Sequence, residues 1–280
     1  MVHLLQQLYD ACKEAFALPG LAPSPQLLQQ VQSLIDAMTL ADLGLDEEFF
    51  VQVNKGAKSP QTVFYLHIHM CRRFSMGIFY LPQSAVIPLH DHPEMTVLNK
   101  LLHGSMHVKA YDWVDPSVQR SDFSGQRSEA SFPNARLARL VVEDIFTAPC
   151  KASMFCPTGG GNIHALTGVT HCAVLDVLAP PYSAAEERPC TYYYDFPTDC
   201  LSEASAIEGT DQTLAWLEVR QLPYDNDFIG RKILRDTNFC ILHSSRDWRS
   251  FLEWPIEGVP YRISWALPHC KVLFGGLTPH

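Results

Sequence analysis

The residues with the clearest chemical potential are histidines in two clusters, Pro88-Leu-His90-Asp-His92-Pro93 and, far downstream, Gly159-Gly-Gly-Asn-Ile-His164. On an extended strand, residues two apart project to the same face, so His90 and His92 can offer two imidazoles to one metal ion. A third ligand has to come from elsewhere. His164 follows a glycine-rich turn, where backbone can bend sharply and approach a neighbouring strand. The spacing alone fits iron, zinc, manganese or nickel. Most of the 12 histidines have no such context. His67-Ile-His69 is a second HxH without a distant partner and is expected to decorate a solvated strand face, with His103, His107 and His171 structural. The run Gly159–Gly161 lacks the Lys-Ser/Thr of a phosphate loop, so nucleotide binding is not supported.

An HxH paired with a distant, glycine-preceded His resembles the two metal motifs of the cupin superfamily. That pattern places a Glu ligand four or five residues after the second His, and here those slots hold Thr96 and Val97. Gly104 stands where the motif's closing glycine falls if Val97 fills the Glu slot. Ser84 and Gly168 miss the leading Gly and trailing Asn, and Glu94 comes too early after His92. The expected ligand set is three neutral histidines without a carboxylate. Around divalent iron such a set leaves charge uncompensated and positions open, which favours a soft anionic ligand such as a substrate thiolate and so thiol dioxygenation.

The elements that must position these residues can be read from periodicity. Leu4, Leu5, Leu8, Tyr9, Cys12 and Phe16 are at helical spacing, and Ser24-Pro25 caps a second helix carrying Leu28, Val31, Leu34, Ile35 and Met38. Residues 1–58 are therefore expected to be a helical segment packing on the main domain. From Val63 short β-rich runs follow at 63–70, 74–81, 97–101, 105–112, 138–147, 152–156 and 171–178, punctuated by Pro, Gly and Asp. That is the pattern of an antiparallel jelly-roll barrel over 59–230 and not of βαβ units. The polar stretch 115–136 suits a long surface loop, and a short helix is expected around Leu214–Glu218. The remaining 231–280 forms a C-terminal extension holding Trp248, Trp254 and Trp265, to which the sequence gives no role.

Composition narrows the function classes. Of 280 residues, 47% are hydrophobic and 18% charged, enough apolar surface for a folded core. A formal charge of −9 disfavours nucleic acid as a partner and tolerates basic peptides. The first helix carries Asp10, Lys13 and Glu14, so neither a signal-peptide core nor a membrane span is expected there. Nine cysteines without a CxxC pair fit a reducing, intracellular setting and argue against a disulfide framework.

The segments FSMGIFYLPQSAVIPLHDHPEMTVLNKLLHGSMHVKAYDW (74–113), FTAPCKASMFCPTGGGNIHAL (146–166) and LDVLAPPYS (175–183), with CTYYYDFP (190–197), resemble the plant cysteine oxidases, close relatives of the cysteamine dioxygenases. The resemblance runs from about Leu4 to Phe228. It implies a cupin double-stranded β-helix, mainly β, with a short N-terminal helical segment. It also implies an Fe(II) thiol dioxygenase that uses O2 to convert a protein's N-terminal cysteine to cysteine sulfinic acid. Such oxidation feeds an N-degron pathway, so substrate lifetime senses oxygen; in plants the characteristic substrates are group VII ethylene-response factors. The implied metal ligands are His90, His92 and His164, with Asp176 and Tyr182 at positions near the metal that assist substrate placement or turnover. Physically, Asp176 could receive the substrate's cationic amino group, or hold a ligand histidine. Tyr182 could donate a hydrogen bond to reacting oxygen, or be an ordinary packed aromatic. Cys190 and Tyr192 match a pair that can form a thioether crosslink in the cysteamine dioxygenases, against the plainer reading of a reduced buried cysteine beside a tyrosine. Many relatives have Gly where Glu94 stands, so this carboxylate could alter the entrance charge or compete as a ligand. A monomer in cytoplasm and nucleus is expected, without membrane or nucleic acid. The competing readings are an enzyme of small thiols, cysteine or cysteamine, and a non-catalytic metal-binding cupin acting through protein contacts.

Overall fold

The computed structural model describes residues 4–18, 22–55, 61–115, 135–157, 159–197, 213–220 and 231–233. The expected loop at 115–136, save its ends, and the three tryptophans of the extension lie outside the described residues.

Three helices come first. Helix α1 (Leu4–Ala15) buries Leu5, Leu8, Tyr9, Ala11, Cys12 and Ala15 along one stripe. Helix α2 (Pro25–Ala37) begins as its sequence dictates: Ser24 Oγ accepts the Leu27 N–H at 3.3 Å, and Pro25 occupies the first helical turn. Helix α3 (Glu47–Lys55) falls inside the segment 1–58 expected to be helical, at a position that residue spacing does not single out. Asp46 Oδ1 caps it by accepting the Phe49 N–H at 2.8 Å, and Glu47, Glu48 and Lys55 match the helix dipole at its two ends.

Among the described residues twelve strands follow: β1 (Phe64–Met70), β2 (Ser75–Leu81), β3 (Val86–His90), β4 (Thr96–His103), β5 (Ser105–Trp113), β6 (Arg136–Thr147), β7 (Ser153–Phe155), β8 (Ile163–Gly168), β9 (Cys172–Ala179), β10 (Tyr193–Pro197), β11 (Leu214–Val219) and β12 (Arg231–Ile233). They form two six-stranded sheets, ordered β12-β1-β2-β9-β4-β7 and β10-β11-β6-β5-β8-β3. All pairings are antiparallel except β12, which lies parallel beside β1. This is the cupin double-stranded β-helix.

Side-chain alternation sorts the first sheet into two faces. Leu66, Ile78, Leu98 and Leu175 share a cluster with Leu8, Ile35 and Phe50, so the helices cover the outer face. Lys100 belongs to that outer set, and its ammonium donates to the carbonyls of Asp36 (2.6 Å) and Met38 (2.9 Å) at the end of α2. The alternate residues Leu101 and Val174 point inward, where they meet Ile87, Val108 and Leu166 of the second sheet. This apolar plug fills one end of the barrel. The other end holds the histidines.

Two local expectations are corrected. Leu214–Glu218 is strand, not helix: β11 alternates buried Ala215 and Leu217 with half-buried neighbours, and it pairs with β10 on one side and β6 on the other. A five-residue apolar run carries too little periodicity to separate the two states, and the neighbouring strand edges decide. His67 and His69 do not share a solvated face either. A bulge between them sets His67 opposite Gly77 and His69 opposite Met76, so the two leave by opposite faces. His69 is buried under α1, 4.9 Å from both the Tyr9 and Phe74 rings.

Candidate metal centre

His90 ends β3 and lies opposite His164 on β8. His92 lies past the end of the strand, in the turn that follows. Ring centroids are 4.8 Å apart for His90 and His92, 4.9 Å for His90 and His164, and 4.7 Å for His92 and His164. One ligand atom from each falls within 4.8 Å of the others, and all three residues are buried. In each ring Nδ1 faces a backbone carbonyl: Pro88 at 2.8 Å for His90, Asn162 at 3.1 Å for His92, Gly161 at 3.2 Å for His164. A proton held on Nδ1 leaves Nε2 of each imidazole with a free lone pair.

Burial also keeps the rings neutral. Desolvation brings His90 down to about 4 and His164 to about 3, the latter lowered further by the neighbouring His90. His92 is driven well below its ordinary value by burial and by the other two rings. Three neutral imidazoles with fixed tautomers and clustered donor atoms are the donor set a divalent transition metal requires, so the residues fit such an ion.

Backbone bonds hold the triad in shape. Asp112 on β5 accepts the N–H groups of Gly160 (3.1 Å), Gly161 (2.8 Å) and Asn162 (3.4 Å), pinning the glycine turn that delivers His164. Gly161 has φ of +86°, and a Cβ there would come within 2.8 Å of Ala110 Cβ, so glycine is needed for both reasons. The Asn162 side chain accepts the His92 N–H at 3.1 Å and donates to the carbonyls of His92 (3.0 Å) and Cys156 (3.1 Å). Asn162 thus ties the two metal motifs together. Sequence reasoning passed over Asp112 and Asn162, although Asn162 lies inside the GGNIH motif.

Asp91, between the first two histidines, turns outward to the strap before β10. Its carboxylate accepts the Thr191 N–H and the Tyr193 hydroxyl, each at 2.9 Å, and its carbonyl accepts the Tyr182 hydroxyl at 2.7 Å. Tyr182 therefore flanks the triad, its ring 5.5 Å from His92, and Tyr192 lies 6.0 Å from His90. Between these tyrosines sits Cys190. Burial pushes its thiol up to about 12, opposed by its hydrogen bonding with the Tyr192 and Tyr182 hydroxyls. The pair Cys190 and Tyr192 is thus in contact.

Asp176 stands on the facing wall. Its carboxyl Oδ1 accepts from Asn99 Nδ2 at 2.7 Å, so the described bond is to an amide and not to a ligand histidine. Asp176 lies one inward step beyond Val174 and His164 one inward step beyond Leu166, so both rise from the same apolar plug. Burial raises the Asp176 carboxyl to about 7, opposed by the Asn99 bond. Phe155, 4.8 Å from His164, packs with Met95 and Val97 above this level. Glu94 is exposed with φ of +57° and does not join the ligand cluster among the described residues. A non-glycine residue in this left-handed turn position carries backbone strain.

Comparison with known proteins agrees with this geometry. The PCO_ADO family model matches residues 34–233. Plant cysteine oxidase 1 of Arabidopsis thaliana is 44% identical over 225 residues, 77% of this chain and 73% of that protein. Plant cysteine oxidase 2 of the same plant is 42% identical, covering 78% and 76%. The 2-aminoethanethiol dioxygenase of Mus musculus is 30% identical, covering 75% and 83%. With most of its length matched, including every residue of the histidine centre, the chain belongs to the PCO_ADO family of thiol dioxygenases.

Proposed function

We propose that this thiol dioxygenase holds Fe(II) at His90, His92 and His164 and oxidises the N-terminal cysteine of protein substrates to cysteine sulfinic acid. The observation that carries the reading is the ligand set itself: three buried neutral imidazoles with no carboxylate among them. Such a set adds no negative charge, so an anionic thiolate is the ligand that best compensates a dication. Iron, when bound, supplies the redox chemistry that lets O2 react with sulfur. Thiolate plus O2 gives sulfinate, with both oxygen atoms retained and no external electrons needed.

The chain's own residues bind and orient. Asp176, ionised, receives the substrate's α-ammonium group from the wall opposite the triad. Tyr182 fixes the turn between His90 and His92 by donating its phenolic proton to the Asp91 carbonyl, and its ring lines the rim beside His92. Phe155, Met95 and Val97 keep water from the reacting atoms. Cys190 and Tyr192 are the candidate pair for a thioether crosslink at this rim, with O2 as the oxidant that takes the two electrons. Residues 59–230 carry the catalysis, and the helical segment 1–58 covers the sheet that bears Asp176. In the cell the oxidised terminus enters an N-degron pathway in cytoplasm or nucleus, with group VII ethylene-response factors as the substrate type.

The test is anaerobic Fe(II) loading followed by O2 with a Cys-initiated peptide, free cysteine and cysteamine in parallel. Oxidation of the peptide with little of the other two is the expected result. Oxidation of free cysteine or cysteamine alone would assign the enzyme to small thiols.

A further inference from the structure

One row of residues crosses the first sheet in register inside the barrel: Gly77 on β2, Asp176 on β9, Asn99 on β4 and Ser153 on β7. Its inward neighbours along β4 are Val97 and Leu101, both buried and apolar. A buried amide between them costs stability unless its polar groups are satisfied. What satisfies the amide nitrogen is Asp176 Oδ1, at 2.7 Å. Among the described residues no donor reaches Oδ2. On the far side of Asp176 the sheet is opened by Gly77. A Cβ at that position would lie 2.3 Å from the Tyr65 ring and its hydroxyl, so the phenol occupies the space over Gly77, beside the carboxyl. Asp176 is held between an amide donor on β4 and an aromatic wall from β1, which leaves its side chain little rotational freedom.

We infer that Asn99 is a positioning residue for the reaction: by engaging Oδ1 it sets the Asp176 carboxyl so that Oδ2 presents to the substrate's α-ammonium group. The inference rests on the reading of Asp176 given above. It assigns Asn99 a part in selecting substrates with a primary amine next to the thiol, a task that Val or Leu at this inward position could not perform. Asn99 acts on binding and not on the metal, since its described bond is to Asp176 alone.

The experiment compares wild type, Asn99→Ala and Asn99→Ser as full-length Fe(II)-loaded protein on a Cys-initiated peptide, with iron content measured in each. Asn99→Ala should raise KM about tenfold while kcat changes less than threefold, the size expected for loss of one hydrogen bond to a charged group that orients the substrate. Asn99→Ser, which retains a donor, should recover part of the loss, and both variants should hold iron as wild type does. Should Asn99→Ala fail to fold, the KM of Asn99→Ser, displaced from wild type by its shorter reach, decides alone. Unchanged KM in a folded variant, or activity lost in proportion to iron, would overturn the role of Asn99 while leaving the substrate reading intact. A wild-type enzyme that binds iron and leaves the peptide unoxidised would bring down both.

Discussion

Each imidazole of the triad owes its usefulness to a backbone carbonyl. The partners of Nδ1 at Pro88, Asn162 and Gly161 choose the tautomer, and burial removes the competing proton from Nε2. Three ordinary imidazoles at pH 5.5 would each be about nine-tenths protonated, weakening a metal by roughly a thousandfold. Here the folded values are depressed to about 4 for His90 and about 3 for His164, so the ligands stay neutral until the pH falls through that range. Anaerobic Co(II) titration should therefore give affinities at pH 5.5 and pH 7 within about fivefold. A thousandfold drop would show that the rings titrate as in water. Glu94 makes a contrasting case, because its value lies in its backbone. Replacing it with glycine removes a left-handed strain of about 1 kcal/mol but loosens the unfolded chain, for a net gain of about 0.5 kcal/mol. Metal affinity in Glu94→Gly should match wild type by the same titration; a fall would mean that the carboxylate reaches the ion.

At the level of elements, the same HxH spacing has two outcomes in one chain, and the difference is backbone. At His67 and His69 a bulge throws the rings to opposite faces. At His90 and His92 the rings converge although the second lies in a turn, because Asn162 grips that turn and Asp112 grips the loop behind it. The sequence argument from strand alternation thus named histidines that do converge, by an incomplete route. The third ligand was more legible, since glycine marks a tight turn wherever it is found, and Gly161 is required by both its φ and the closeness of Ala110. Strand order and the strand state of β11 depend on partners distant in sequence, so no local pattern announces them, whereas the Asp46 cap of α3 is a local signal that accepts an N–H three residues on. Asp112→Ala should free three N–H groups and loosen the delivery of His164. Metal affinity, read by the same titration, is expected to fall 10- to 100-fold, the usual size for loss of a supporting hydrogen-bond anchor. An unchanged affinity would show that the turn holds its shape without Asp112.

The whole molecule solves a problem of burial. A wall that carries Asp176 inward must be apolar outward, and the outer face formed by Leu66, Ile78 and Leu175 would be exposed without α1, α2 and α3. The helices that the sequence offered only as a covering therefore allow β9 to be buried on both faces, with Asp176, bonded to Asn99 of β4, as its polar exception. The facing sheet and the turn after β3 supply the three clustered histidines, and the apolar plug between the sheets lies beneath both walls. On the proposed reading, such an arrangement would bring a thiol and its neighbouring amine together between two walls, one with the clustered histidines and the other with a carboxylate. The most direct test of that account is mass spectrometry of a Cys-initiated peptide incubated with the Fe(II)-loaded protein under heavy-isotope O2. The account predicts two labelled oxygens on the cysteine sulfur, abolished by His164→Ala. A peptide left unoxidised by iron-loaded protein, or one carrying oxygen from water in place of the label, would contradict it.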